Sequence, residues 1–203
     1  MKIIAIGRNY AEHAKELNNE IPENPVLFLK PDTAVLKNNK PFYHPNFSKE
    51  VHHEIEVVLK ICKEGKFIAE KFAYKYYEEI GLGIDFTARD VQAQQKAKGL
   101  PWEIAKAFDN SAPVSEFIAK TEFEDLNNLE FSLQVNDEVK QSGNTSQMLH
   151  SFNKLISYAS QYFTLKKGDL IFTGTPAGVS KVNIGDQLKG FLQGRELLNF
   201  EIK

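Results

Sequence analysis

Short apolar runs, separated by glycine, proline and polar residues, are the feature of this sequence that most constrains its fold. The most pronounced run, Ile55–Ile61, is rich in β-branched residues and predicts a strand. The other strand candidates are residues 3–6, 26–29, 129–135, 138–141, 169–173, 187–192 and 197–202. Asn136-Asp137, between two of these runs, is typical of a hairpin turn. The chain is therefore expected to be mostly β.

A few segments carry helical patterns instead. Residues 148–163 place apolar side chains at helical spacing, which predicts an amphipathic helix. Residues 88–98 follow Thr87, with Asp90 three positions further on, which predicts a capped helix start. Further helices are expected at residues 9–17 and, with a packed aromatic face, at 64–79. No repeat and no Pro-, Gly- or Ser-rich linker occurs, so we expect one domain over residues 1–203.

Composition and charge argue against several classes of function. The 25 Lys and Arg residues against 27 Asp and Glu give a net charge of −2, so nucleic-acid binding is not expected. Cys62 is the only cysteine, which excludes an intramolecular disulfide framework and a cysteine-rich zinc module. No apolar run approaches the ~20 residues needed to span a bilayer, and the first residues predict a strand rather than a signal peptide. We therefore expect a cytoplasmic protein without membrane contact.

The first candidate site lies in the sequence HHEIE, residues 52–56. Side chains alternate faces along a strand, so His52, Glu54 and Glu56 are expected to project the same way. At ~3.3 Å per residue the two glutamates are roughly 6–7 Å apart at the backbone, where their carboxylates repel unless a divalent cation lies between them. The alternative is a solvated strand face, which is the commoner fate of such a pair.

Asp85 would complete an all-oxygen triad with the two glutamates. It stands between a glycine-flanked apolar segment and the predicted helix start, where a side chain can point into a cleft. Oxygen ligands without thiolate or clustered imidazoles suit Mg²⁺, Mn²⁺ or Ca²⁺. Three protein ligands also leave positions open for water or substrate. His52 would then be a fourth ligand or, by preference, a hydrogen-bond partner of one carboxylate.

Three further features could carry chemistry. His13 and Glu16 share a face if their segment is helical, and a carboxylate that orients an imidazole raises its basicity; such pairs also abound on exposed helices. Lys106, in a loop bounded by Pro101 and Trp102, is either a solvated lysine or an anion anchor. The turn at residues 174–178, GTPAG, could aim backbone N–H groups and a hydroxyl at a carboxylate, or be a plain tight turn.

Six ordered blocks of the chain resemble the fumarylacetoacetate hydrolase family: GRNYAEHAKE, FLKP, HHEIE, GIDFTARDVQ, LPWEIAKAFD and GDLIFTGTPAGV. They run from Gly7 to about Asp186, nearly the whole chain. The length is similar to that of the short single-domain branch, and the blocks to its acylpyruvate hydrolase and oxaloacetate decarboxylase type. The resemblance implies an α+β, mostly β fold of packed mixed sheets with a few short helices, usually assembled as a homodimer.

The resemblance also implies three groups of site residues. The ligands of Mg²⁺ or Mn²⁺ would be Glu54, Glu56 and Asp85. The catalytic residues would be His13 and Glu16, as a water-activating dyad on a mobile lid helix, and Lys106. The substrate-binding residues would be Lys30, Gln92, Gly174 and Thr175.

The reaction expected from this set is metal-dependent cleavage of a C–C bond in a small anionic keto acid. A 2,4-diketo acid would be hydrolysed, or oxaloacetate decarboxylated, through a pyruvate enolate held at the metal. The alternative is an isomerase or tautomerase acting on oxaloacetate or on an unsaturated dicarboxylic acid of the hydroxymuconate or hydroxyheptadienedioate type. A non-catalytic, metal-dependent carboxylate-binding module would leave His13, Glu16 and Lys106 without a purpose.

Overall fold

The computed structural model describes residues 1–17 and 20–203. Within them the strands are β1 (Ile3–Gly7), β2 (Val26–Lys30), β3 (Val35–Leu36), β4 (Val51–His53), β5 (Ile55–Ile61), β6 (Tyr77–Ile84), β7 (Thr87–Ala88), β8 (Ala112–Pro113), β9 (Ile118–Ala119), β10 (Glu130–Val135), β11 (Glu138–Asn144), β12 (Leu170–Phe172), β13 (Ser180–Lys181), β14 (Gln187–Leu192) and β15 (Arg195–Glu201). The α-helices are α1 (Ala11–Glu16), α2 (Arg89–Ala97), α3 (Glu103–Lys106) and α4 (Phe152–Tyr162). None of the helices in this part of the chain has the length and apolar character needed to cross a bilayer.

The strands form mixed sheets, and the largest carries the site. Its order is β2-β1-β12-β5-β6-β9, with β1 and β12 parallel and the other neighbours antiparallel. A second sheet, β11-β10-β14-β15, is antiparallel, and two small sheets join β13-β4-β7 and β3-β8. The predicted α+β, mostly β class is therefore confirmed, and the strand at residues 55–61 lies at the centre of the fold.

Helix α4 and the hairpin of β10 and β11 form where the sequence predicts them. Helix α4 buries Phe152, Leu155, Ile156 and Ala159 on the large core, as its helical spacing predicts. The Ser151 side chain accepts a hydrogen bond from the Lys154 N–H at 3.3 Å and caps the helix. The predicted hairpin is also present, because β10 and β11 pair around a turn of left-handed residues.

Two local predictions are wrong. Residues 64–79 do not form a helix: the segment holds a 3-10 turn, Glu70–Lys75, and then enters β6. Its backbone turns left-handed at Phe67, which leaves that ring exposed instead of packed on a helical face. Thr87 does not cap α2 either. It lies in β7, and its hydroxyl donates to Glu54 Oε1 at 3.2 Å and to the Asp85 carbonyl at 3.3 Å.

Close packing around Gly83 generates a testable prediction. Gly83 pairs with Glu56 across β5 and β6, and an added Cβ would lie 2.5 Å from Cε1 of the Phe172 ring. Gly83→Ala should therefore lower the free energy of unfolding by about 1–3 kcal/mol through overpacking. Gly7→Ala is the control, because a Cβ at Gly7 has its nearest neighbour at 3.8 Å. Chemical denaturation measures both, and equal stability of the two variants would contradict the packing argument.

Candidate active site

Three carboxylates meet beside the centre of the largest sheet. Glu54 separates β4 from β5, Glu56 is the second residue of β5, and Asp85 directly follows β6. Ile55 pairs with Ile84, and the Asp85 N–H donates to the Glu54 carbonyl at 2.8 Å, so strand register sets the three side chains together. One oxygen from each lies within 4.8 Å of the others, and all three side chains are buried. The predicted triad is therefore assembled by the fold.

Glu54 is held by cations on both sides. Its Oε1 lies 2.5 Å from Nη2 of Arg89, and its Oε2 lies 2.8 Å from Nζ of Lys106. Burial raises the pKa of this carboxyl, but the charges of Lys106 and Arg89 outweigh burial and hold the pKa well below its usual range. Lys106 Nζ also lies 2.6 Å from Asp85 Oδ2. Burial lowers the pKa of Lys106, but Asp85 and Glu54 outweigh it and raise that pKa.

Glu56 has no comparable cation among the described residues. Its Oε2 accepts a hydrogen bond from the Gly174 N–H at 2.6 Å. Burial, and after it the negative charge of Asp85, raise the pKa of Glu56 well above its usual range. This carboxyl therefore loses its proton less readily than an exposed glutamate does.

Lys30 contacts the second oxygen of Asp85, the one that Lys106 does not reach. Its fully buried Nζ lies 2.7 Å from Asp85 Oδ1 and donates to the Ser111 carbonyl at 2.9 Å. Burial is the main reason that the pKa of Lys30 is lowered.

The donor set fits a hard divalent cation. Glu54, Glu56 and Asp85 offer only carboxylate oxygens, the ligands that Mg²⁺, Mn²⁺ and Ca²⁺ prefer. Glu56, the only one of the three without an ion pair among the described residues, has a pKa that burial and then Asp85 raise well above its usual range. The site could therefore hold a cation through these three residues.

A narrow cleft opens onto the triad. Besides the three carboxylates, its lining includes Arg8, His13, Phe28, Arg89, Gln92, Lys96, Trp102, Lys106 and Thr175. The structure thus brings most of the predicted site residues to one cavity.

The His13–Glu16 pair forms as predicted on helix α1. The His13 ring is buried, and its Nδ1 lies 3.1 Å from Glu16 Oε2. This contact leaves Nε2 as the nitrogen that can exchange a proton with a substrate or a water. Glu16 Oε1 accepts a second hydrogen bond from the Gly178 N–H at 3.0 Å. Gly178 has a φ of +98°, and a Cβ there would collide with the Lys140 carbonyl oxygen, so only glycine fits.

Two of the predicted residues bind carboxylates of the triad, and His52 does not. The Gly174 N–H donates to Glu56, and Lys106 pairs with Glu54 and Asp85 from helix α3 rather than from a loop. His52 neither joins the triad nor hydrogen-bonds to it: its Nε2 lies 3.5 Å from Glu50. The alternation of faces fails because the chain leaves strand geometry at Glu54, between β4 and β5.

Three cations of the cleft were not anticipated. Arg89 donates from Nη1 to Gln92 Oε1 at 2.9 Å, and Lys96 lies one further turn along α2. Arg89, Gln92 and Lys96 recur at positions i, i+3 and i+7, a helical spacing that was visible in the sequence. Arg8 lies in a turn directly after β1, with a left-handed φ of 61°. No strand or helix periodicity in the sequence therefore points to it.

Comparison with known proteins finds relatives along nearly the whole chain. A family described as "Fumarylacetoacetate (FAA) hydrolase C-terminal" matches residues 2–203. The chain is 45% identical over 203 residues to "Oxaloacetate decarboxylase, mitochondrial" of Dictyostelium discoideum, covering 99% of this chain and 93% of the relative. It is 44% identical over 197 residues to "Oxaloacetate tautomerase YcgM" of Escherichia coli, covering 97% of this chain and 90% of the relative.

A solved structure shows the same fold. The crystal structure of fumarylpyruvate hydrolase from Pseudomonas aeruginosa, in complex with Mn²⁺ and pyruvate, superposes with a TM-score of 0.94 at 35% identity. The match covers 100% of this chain and 89% of that chain. With the family model spanning nearly every residue, this chain belongs to the fumarylacetoacetate hydrolase family.

Proposed function

We propose that this chain is an enzyme of oxaloacetate, with keto–enol tautomerisation as its first candidate reaction. The observation that carries the proposal is the oriented base: His13, with Nδ1 on Glu16, lines the same cleft as the carboxylate triad. Tautomerisation needs a base at carbon and positive charge at oxygen, and the cleft offers both. The names of the E. coli and Dictyostelium relatives, both of which act on oxaloacetate, support the choice of substrate.

Three residues of the cleft would carry out the proton transfer and stabilise its intermediate. His13 Nε2 takes a proton from C3 of the keto acid, and the electron pair of that C–H bond forms the C2=C3 double bond. The C2 carbonyl π pair moves to its oxygen, which accepts the proton back from the His13 imidazolium to give the enol and the neutral imidazole. The positive charge of Lys106 and the side-chain amide of Gln92 stabilise the negative oxygen on the way. A divalent cation held by Glu54, Glu56 and Asp85, Mg²⁺ or Mn²⁺, would supply Lewis-acid stabilisation of the same charge.

Cleavage of a C–C bond is the second candidate, because it passes through the same enolate. Loss of CO₂ from oxaloacetate gives pyruvate enolate directly, and His13 is then needed only to exchange a proton. In an acylpyruvate, His13 would instead activate the water that attacks the distal carbonyl. The relative named a decarboxylase and the fumarylpyruvate hydrolase structure support these alternatives. A homodimer and a cytoplasmic location remain proposals that rest on the sequence alone.

The cations at the cleft support a substrate with two carboxylates. Arg8 and Lys96 line the cleft, and neither forms an ion pair within the described part of the chain. Burial, and then the charges of Arg8, Arg89 and Lys106, lower the pKa of Lys96. Arg8 adopts a left-handed backbone conformation, which is strained for a residue with a side chain and occurs often at functional sites. A second carboxylate of the substrate would relieve this repulsion.

The first prediction concerns the metal. Because burial and Asp85 raise the pKa of Glu56, a cation must displace a proton there, so binding should release protons. Below that pKa, Mn²⁺ affinity should rise about tenfold per pH unit, and calorimetry in buffers of different ionisation enthalpy measures both effects. Glu56→Gln should abolish the pH dependence and most of the affinity.

The control for this prediction is Glu79→Gln, since Glu79 pairs with Lys60 on the same sheet, outside the triad. A raised pKa means that the metal-free native state loses stability as pH rises above the unfolded pKa towards the folded value. The metal-free Glu56→Gln protein should therefore be more stable than wild type at alkaline pH. Wild-type Mn²⁺ affinity in Glu56→Gln, or binding without proton release, would contradict the proposed ligand set.

The second prediction separates the candidate reactions. His13→Ala should lower tautomerisation of oxaloacetate and hydrolysis of an acylpyruvate by about 10²–10⁴-fold, the usual contribution of a positioned base. Release of CO₂ from oxaloacetate should fall much less, because that step needs no base. Enol absorbance follows the first two reactions, and a coupled pyruvate assay follows the third.

Two variants sharpen this comparison. Glu16→Gln keeps the side-chain volume but weakens the orientation of His13, so it should reproduce the same pattern with smaller losses. His44→Ala, outside the cleft lining, should leave all three rates unchanged. Equal losses of all three reactions in both dyad variants would contradict the assignment of His13 as the base.

The third prediction concerns the second carboxylate. Lys96→Met should raise the KM for oxaloacetate by about tenfold, the size of one charge-assisted contact, and leave the KM for the monoanion acetylpyruvate nearly unchanged. Lys98→Met is the matched control, because Lys98 follows the end of α2 and does not line the cleft. Parallel changes for both substrates would contradict a dianion site at Arg8 and Lys96.

A further inference from the structure

Gln141, a buried side chain on β11, joins three segments of the site. Its Oε1 accepts a hydrogen bond from the Ile55 N–H at 3.0 Å, and its Nε2 donates to the Pro176 carbonyl at 2.9 Å. A backbone N–H can only donate and a carbonyl can only accept. These two backbone groups therefore determine which end of the Gln141 amide is oxygen and which is nitrogen.

The orientation of the amide determines the polarity of Thr175. The Thr175 Oγ1 lies 2.8 Å from Gln141 Nε2, and an amide nitrogen only donates, so the hydroxyl must accept this hydrogen bond. A hydroxyl carries one proton, which Gln141 does not engage. No acceptor for that proton occurs among the residues that the structure describes, and Thr175 lines the cleft. The proton is thus available to an acceptor within the cleft.

His53 makes the same arrangement more rigid. Its Nδ1 lies 2.8 Å from Gln141 Oε1, which can only accept, so Nδ1 carries a proton. Its Nε2 lies 2.8 Å from Ser180 Oγ on β13. Gln141 is therefore fastened to strands β4 and β5 and to the turn after β12, and it cannot reverse without breaking several buried hydrogen bonds.

We propose that Gln141 is a positioning residue that makes Thr175 an obligate hydrogen-bond donor to the substrate. The cleft would then select a substrate that presents a carboxylate or carbonyl oxygen to Thr175, and reject one that presents an amino group or another donor there. This inference rests on the proposed function, since it assumes that a keto acid occupies the cleft. Its structural half, the direction of the Thr175 hydroxyl, is independent of any substrate.

Neutron diffraction of the deuterium-exchanged, full-length protein tests the structural half. The expected result is two deuterium atoms on Gln141 Nε2, one directed at Thr175, and the Thr175 deuterium directed into the cleft. A Thr175 deuterium lying between Oγ1 and Gln141 would overturn the inference. This measurement decides the polarity even if none of the keto acids is turned over, an outcome that would refute only the proposed function.

Kinetics with oxaloacetate test the functional half. Thr175→Val removes the donor, and Gln141→Glu supplies an acceptor that would capture the Thr175 proton. Each should lower kcat/KM by about 10- to 100-fold, mostly through KM, as expected for a lost hydrogen bond to a charged group. The double variant should be no worse than either single one, because both changes remove the same donor. Thr175→Ser, which restores the hydroxyl, should recover kcat/KM to within about threefold of wild type.

Two controls keep this test decisive. Gln134→Glu, on the neighbouring strand β10, adds the same charge away from the cleft and should leave kcat/KM unchanged. Thermal unfolding shows whether Gln141→Glu folds; if it does not, the Thr175→Val and Thr175→Ser pair and the neutron structure still decide. Additive losses in the double variant, or equal losses in Thr175→Ser and Thr175→Val, would overturn the proposed role of Gln141.

Discussion

The balance between three buried carboxylates and the cations around them is the interaction on which this site depends. Carboxylates this close and this far from water would repel strongly if nothing offset their charge. Lys30 reaches them from β2, and Arg89 and Lys106 from α2 and α3, which follow one another far from β2 in sequence. The charges of the triad are therefore balanced only when β2 and both helices are packed around it.

The cations do not balance all three carboxylates. Glu54 is paired with Arg89 and Lys106, and Asp85 with Lys30 and Lys106, whereas Glu56 forms no ion pair among the described residues. A site that served only stability would pair Glu56 or replace it with an apolar residue, since buried charge is expensive. Glu56 lines the cleft, where a cation could balance its charge.

Much of the triad could be predicted from the sequence, because side chains alternate regularly along a strand. The spacing of Glu54 and Glu56 predicts two acids that project the same way, while their burial and the ions around them depend on the fold. The break in strand geometry at Glu54 could not be predicted, because it depends on pairing with β7 and β13. The same break moves His52 away from the triad.

Tertiary contacts also explain the other differences. Thr87 has the residue type of a helix cap, but a nearby carboxylate competes for its hydroxyl. Residues 64–79 have helical composition, yet the pairing of β6 in the sheet, which begins at Tyr77, outweighs their local helical preference. Gln141 belongs to no sequence motif. Its hydrogen bonds to β5 and to the turn after β12 form only once these segments pack against β11.

The turn that follows β12 joins two parts of the site. The Gly174 N–H holds Glu56 in the triad, and four residues later the Gly178 N–H holds Glu16 beside His13. Because both donors belong to one turn, a shift of that turn would change the position of Glu56 and of Glu16 together, and through Glu16 the orientation of the His13 ring.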